Sequence, residues 1–142
     1  SNEQHHFNYD IDTQLKVFGN QTELLSAITN LITNAVRYTP AGETINVRWK
    51  LNPNGNAVFS VKDTGLGIAP QDIPRLTERF YRVDKSRSRA SGGTGLGLAI
   101  TKHIVHRHNA QLKIESALHK GSTFSIIFPK DVIISSAYPT EL

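Results

Sequence analysis

Residues 44–63 constrain the fold more tightly than any other stretch. In "TINVRWKL" (44–51), Ile45, Val47, Trp49 and Leu51 fall on one side of a period-two pattern, and "AVFSVKD" (57–63) resumes it after Pro53-Asn54-Gly55-Asn56. Strict alternation is the signature of a strand with one covered face. Two such runs joined by a Pro/Asn/Gly turn predict an antiparallel hairpin. A hairpin that is apolar on one side needs a second layer against it.

Helices supply that layer. Leu24, Ile28, Leu31, Ile32 and Ala35 recur at three-to-four-residue spacing, which lines one helix face. Asn20 is the expected N-cap with Glu23 as its capping-box partner, and the helix should end near Arg37, before Thr39-Pro40-Ala41-Gly42. A second long helix is expected from about Thr94 to His108, and a short one from Pro70 to about Thr77. Residues 7–11 and 15–18 read as short strands, and 110–117 with 122–129 as a second hairpin around His119-Lys120-Gly121. The predicted fold is an α+β two-layer sandwich, a mixed and largely antiparallel sheet with helices on one face. Residues 7–129 make up the domain, 82–93 a patternless Arg/Ser/Gly-rich segment within it, 1–6 a tag scar and linker, and 130–142 a tail.

The chain has 142 residues, 38% hydrophobic and 20% charged, which is the composition of one ordinary globular domain. It contains no run of about 18 apolar residues of the kind that spans a bilayer. Its N-terminus lacks an export pattern, and Ser1-Asn2 reads as the remnant of a cleaved tag, so a fragment of a longer protein is expected. The absence of cysteine excludes disulfides and thiolate metal sites and fits a reducing, cytoplasmic setting. Net charge is +4, and Arg75, Arg79, Arg82, Lys85, Arg87 and Arg89 gather six of the sixteen cations into one short stretch. Such a run is either a solvated face or a basic segment facing phosphate.

Six of the ten glycines lie in "DTGLGI" (63–68) and "GGTGLGL" (92–98). Neither fits the common phosphate-loop or dinucleotide patterns, but the second delivers backbone N–H groups to a helix N-terminus near Gly95–Gly97, an anion site through its dipole. Asp63 shares a strand face with Ala57, Phe59 and Val61. It is either a turn aspartate capping Gly65 or a carboxylate placed for the amino group of a ligand, because a buried carboxylate must be hydrogen-bonded. Asn30, Asn34 and Arg37, at i, i+4 and i+7 of the first helix, should lie opposite its apolar stripe. They form either a plain solvated face or, if the glycine loops face them, oxygen ligands for a hard cation beside a phosphate partner. His103, His106 and His108 lack a metal-binding spacing.

Taken in order, "NLITN" (30–34), "DTGLGI" (63–68), "ERFYR" (78–82) and "GGTGLGL" (92–98) resemble the ATP-binding domain of sensor histidine kinases, a fold shared with DNA gyrase and the mismatch-repair protein MutL. The resemblance covers about residues 7–129. The stretch 73–89 is similar, more specifically, to the phosphate-regulon branch of those kinases. The resemblance implies that Asp63 accepts a hydrogen bond from the adenine amino group and that Asn34 ligates Mg²⁺ with support from Asn30. It implies that Arg37 meets the phosphates and that Tyr38 and Ile68 line the nucleoside. It places Gly65 and Gly67 close to the base, and Gly93, Thr94, Gly95, Leu96 and Gly97 around the triphosphate. Thr123 would reach adenine. Residues 82–93 would be the ATP lid, with Phe80, Tyr81 and Arg82 coupling it to partner helices.

Thr77-Glu78-Arg79-Phe80 stands where many members read F-E-P-F, and none of the six histidines precedes an acidic residue. The phosphoacceptor is therefore expected on a separate dimerisation domain, in a dimeric kinase anchored in the inner membrane, with this domain cytoplasmic. That kinase would act indirectly on a response regulator and would not bind nucleic acid. The alternatives are a same-fold serine kinase or ATPase, and a basic nucleic-acid-binding module.

Overall fold

A computed structural model describes residues 5–81 and 96–134. The chain runs β1 (His6–Ile11), β2 (Lys16–Val17), α1 (Gln21–Tyr38), β3 (Thr44–Leu51), β4 (Ala57–Asp63), α2 (Gly97–Arg107), β5 (Gln111–Ala117), β6 (Gly121–Phe128) and β7 (Ile133–Ile134). Five strands form one sheet in the order β1-β3-β4-β6-β5. Only β1–β3 is parallel; the other pairs are antiparallel. Both helices pack on one face, giving the predicted mixed two-layer sandwich.

The alternation in β3 and β4 decides what lies inside. Ile45, Val47, Phe59 and Val61 are buried and meet Leu31 and Ala35 of α1, with Phe124 and Ile126 of β6 beside them. The apolar face runs out at Leu51, which is exposed. Along α1 the buried residues are Ala27, Leu31 and Ala35, and Leu24, Ile28 and Ile32 flank them half-buried.

The start of α1 is capped as expected at one bond and differently at the other. Asn20 Oδ1 accepts from the Glu23 N–H at 2.9 Å. The returning half of a capping box is missing, because both of its groups have tertiary partners. Glu23 pairs with the Arg107 guanidinium at 3.1 Å, and the Asn20 N–H donates to His108 Nε2 at 3.0 Å. The end of α2 is thereby fastened to the start of α1. Asn20→Ala is expected to cost about 1 kcal/mol of stability, read as a lower urea midpoint at unchanged slope.

Three expectations are corrected. Pro70–Thr77 is not a helix; only Ile73–Arg75 forms a 3-10 turn, because Pro74 has no N–H to donate and its ring clashes with a preceding helical carbonyl. The second helix begins at Gly97 among the described residues. Residues 130–134, expected as the start of a tail, form a 3-10 turn followed by β7, which pairs antiparallel with β2.

Candidate functional site

Asp63 is the last residue of β4 and keeps to the buried face that its strand dictates, with 5% of its surface exposed. Its Oδ1 accepts from the Gly65 N–H at 2.9 Å and the Ser122 N–H at 3.2 Å. No described residue bonds to Oδ2. Burial pushes the carboxyl pKa up, and the two N–H donors offset part of that shift. The turn reading and the ligand reading are therefore compatible: one oxygen holds the turn and the other is left as an acceptor.

The loop after Asp63 is pressed against the β5–β6 turn. His119 N–H donates to Leu66 O at 2.7 Å, and Ile68 N–H donates to Ser116 Oγ at 2.8 Å. Ser116 Oγ also donates to Gly121 O at 3.0 Å and lies 2.8 Å from Ser122 Oγ. Two glycines make this contact possible. Gly67 (φ +74°) would place a Cβ 2.0 Å from Ala117 O, and Gly121 (φ +105°) would place one 2.0 Å from Asp63 O. The resemblance implies that Gly67 lies close to the base; its close neighbour in the structure is the protein's own hairpin.

Thr123 does not converge on Asp63. It stands opposite Lys62 and Glu115, and residues directly opposite share a sheet face, so it points away from the helices. Ser122, opposite Asp63, takes its place on the buried side. Counting by twos from Phe124 and Ile126 would have identified it. Thr39 was also missed. It caps the C-terminus of α1, is 3% exposed, and its hydroxyl has no hydrogen-bond partner among the described residues. Tyr38 O, Thr39 Cα and Asp63 Oδ1 all lie within 3.1 Å of where a Gly65 Cβ would stand.

Asn30, Asn34 and Arg37 flank the buried stripe of α1 rather than opposing it, and all three are half-buried. Asn30 Nδ2 donates to Gly97 O at 3.3 Å, which joins this face of α1 to the start of α2. The N-cap position there is Leu96, with no side-chain cap. The first N–H groups of α2 and the positive end of its dipole therefore have no side-chain acceptor at the cap. Tyr38 and Ile68 are half-buried at the same end of the sheet.

Phe80 and Tyr81 close the described part of the next segment. Tyr81 Oη donates to Asp72, and the Arg75 guanidinium sits 4.4 Å over the Tyr81 ring. Phe80 has φ +67° and is 67% exposed, a backbone conformation that bulky residues rarely adopt. Arg82, Gly93, Thr94 and Gly95 lie outside the described residues.

The site thus combines a buried acceptor at the end of the sheet, amide oxygens and a guanidinium on one helix, and an anion-attracting helix start. This is complementary to a ligand with an amino group at one end and negative charge at the other. Residues 19–132 match the family described as histidine kinase-, DNA gyrase B-, and HSP90-like ATPase. The phosphate regulon sensor protein PhoR of Haemophilus influenzae is 48% identical over 92% of this chain, which spans 31% of that protein's length. The mycobacterial sensor histidine kinase MprB has a solved structure of TM-score 0.77 and 30% identity, covering 89% of this chain and 83% of its own. Full-length ShkA in complex with AMPPNP aligns with a TM-score of 0.76 at 25% identity, over 95% of this chain and 27% of its own. The chain belongs to the histidine kinase-, DNA gyrase B- and HSP90-like ATPase family.

Proposed function

We propose that this chain is the catalytic part of a two-component sensor histidine kinase. It binds Mg²⁺–ATP and presents the γ-phosphate to a histidine on a separate dimerisation domain, in a dimeric, inner-membrane-anchored kinase of phosphate-regulon signalling that acts indirectly on a response regulator. Among the described residues, no helix is long and apolar enough to cross a membrane. The observation that carries the reading is the Oδ2 of buried Asp63, to which no described residue bonds.

An ionised carboxylate only accepts hydrogen bonds. It fits the exocyclic amine of adenine and opposes the carbonyl that guanine presents at that position. Ser122 and Thr39 bound the same corner, and Tyr38, Gly65, Gly67 and Ile68 border the nucleoside. Leu96 and Gly97 begin the helix that faces the phosphates, with Gly93, Thr94 and Gly95 preceding it and Arg37 supplying positive charge. Phe80, Tyr81 and Arg82 connect the site to partner helices.

The side-chain oxygens of Asn34 and Asn30 fit Mg²⁺, which takes few protein oxygens and shares the rest with phosphate and water. No cluster of three or more acidic or histidine side chains competes for it among the described residues. When bound, the ion neutralises charge on the triphosphate. The chain's own contribution is positioning and a fixed positive field, the main requirements of phosphoryl transfer.

Calorimetry with ATP and GTP, with and without Mg²⁺, tests the reading. ATP should bind about 10- to 100-fold tighter than GTP, the cost of leaving a buried acceptor facing an acceptor, and Mg²⁺ should strengthen binding. Equal affinity for the two nucleotides would overturn the assignment of Asp63.

A further inference from the structure

We propose that Ser116, on edge strand β5 and outside the nucleotide corner, is a positioning residue for recognition of the base. It acts through Ser122. By taking up the Ser122 hydroxyl proton, it leaves the Ser122 oxygen as a pure acceptor beside Asp63. The proposal rests on the nucleotide reading of that corner and names what sets its pattern of donors and acceptors.

The groups at the ends of the network fix the direction of its protons. Ser116 Oγ has three neighbours: the Ile68 N–H at 2.8 Å, the Gly121 carbonyl oxygen at 3.0 Å and Ser122 Oγ at 2.8 Å. A backbone N–H only donates and a carbonyl only accepts, while a hydroxyl has one proton and two lone pairs. Ile68 therefore occupies one lone pair of Ser116, and the single Ser116 proton goes to Gly121. The second lone pair is all that is left for Ser122, so the proton between the two hydroxyls belongs to Ser122. The reverse assignment would set the Gly121 oxygen against a lone pair of Ser116 with no proton between them.

Ser122 thus directs its only proton toward β5 and away from Asp63. It stands opposite Asp63 in one register and opposite Ser116 in the other, so the three share a sheet face. Ser122 is buried, and its N–H donates to Asp63 Oδ1. Both side chains at this corner, Asp63 through Oδ2 and Ser122 through Oγ, therefore present lone pairs. A serine with a free proton beside the carboxylate would turn it toward any acceptor, a base carbonyl included. Held as an acceptor, it reinforces the preference for an amine.

Ser116→Thr and Ser116→Val differ by one hydroxyl at nearly the same volume, and Ser116 is half-buried, so neither opens the core. The probes are ATP and inosine triphosphate, which carries a carbonyl where ATP has its amine, with binding read by calorimetry in the presence of Mg²⁺. The parent and Ser116→Thr should prefer ATP by the same factor. In Ser116→Val the Ser122 proton is free to turn toward the base, and inosine triphosphate should gain on ATP about tenfold. A purely structural role would lower both affinities together. An unchanged ratio in Ser116→Val, or an equal shift in Ser116→Thr, would overturn the proposal and leave the nucleotide reading standing. A parent that binds neither nucleotide would overturn both. Should Ser116→Val fail to fold, neutron diffraction from the deuterated parent decides. A deuteron on Ser122 Oγ aimed at Ser116 Oγ is expected, and any other placement would overturn the assignment.

Discussion

Asp63→Asn is expected to weaken ATP binding by about 100-fold while raising the unfolding temperature of the nucleotide-free protein at pH 7. Asparagine keeps Oδ1 as acceptor for the Gly65 and Ser122 N–H groups but turns an N–H donor toward the site, where on the proposed reading the adenine amine also donates. A hundredfold loss is about 2.7 kcal/mol, within the range for an opposed buried polar pair. The stability change has the opposite sign. Burial raises the folded pKa of Asp63 above 3.8, so the folded state favours the protonated form. The stabilisation from that protonation is complete below the unfolded value and is lost as pH rises through the folded one. At pH 7 the buried charge is a cost, and a neutral amide removes it. In the parent, ATP affinity should fall as pH drops through the raised pKa, and in the variant it should not. Calorimetry and thermal unfolding at several pH values would check both. A variant that binds ATP like the parent, or melts lower at pH 7, would contradict this account of the site.

Gly121→Ala is the second large effect, at about 3 kcal/mol or more. The positive φ alone costs a non-glycine residue about 1–2 kcal/mol. The new Cβ would also lie 2.0 Å from Asp63 O, 2.9 Å from Asp63 C and 3.0 Å from Thr64 Cα. These are backbone atoms that no rotamer change can move. The overlap can be relieved only by parting the β5–β6 turn from the end of β4, and the Ser122–Asp63 hydrogen bond parts with it. Nucleotide affinity should therefore fall together with stability. Gly42→Ala is the control: φ is +88° there, but nothing lies within 4 Å of the built Cβ, so only the conformational cost of about 1–2 kcal/mol applies. Equal melting temperatures for the two variants would mean that the Gly121 contact yields freely.

What could be read from the chain alone depended on how local its cause was. The Asn20 cap, the hairpin at 44–63 and the inward direction of Asp63 follow from residues close in sequence, and all are present. The capping box is absent because its two free groups have partners at the end of α2, Arg107 and its C-cap His108, 84 and 88 residues away. β7 escaped notice because two residues carry no period, and its existence depends on pairing with β2. The helix expected at Pro70–Thr77 overlooked Pro74. The resemblance points to Thr123, whereas alternation from Phe124 and Ile126 selects Ser122. Thr39 gives no signal, since a threonine after a helix is ordinary until its hydroxyl is seen enclosed without a partner among the described residues.

The aspartate corner is assembled from parts far apart along the chain. Ser122 reaches Asp63 across 59 residues of sequence, and the β4–β6 pairing that brings them together needs everything between to close as one loop. Closing a long loop is slow compared with forming a hairpin or a helix turn, and its entropic cost comes before its contacts return anything. The carboxylate is thus expected to be among the last groups to find its neighbours during folding. A chain emerging from synthesis has α1, with its asparagines and arginine, well before it has an enclosed acceptor for them to work beside. On the proposed reading, recognition of the base is a property of the finished sheet, and a partly folded chain lacks the enclosed carboxylate with which to tell one nucleotide from another.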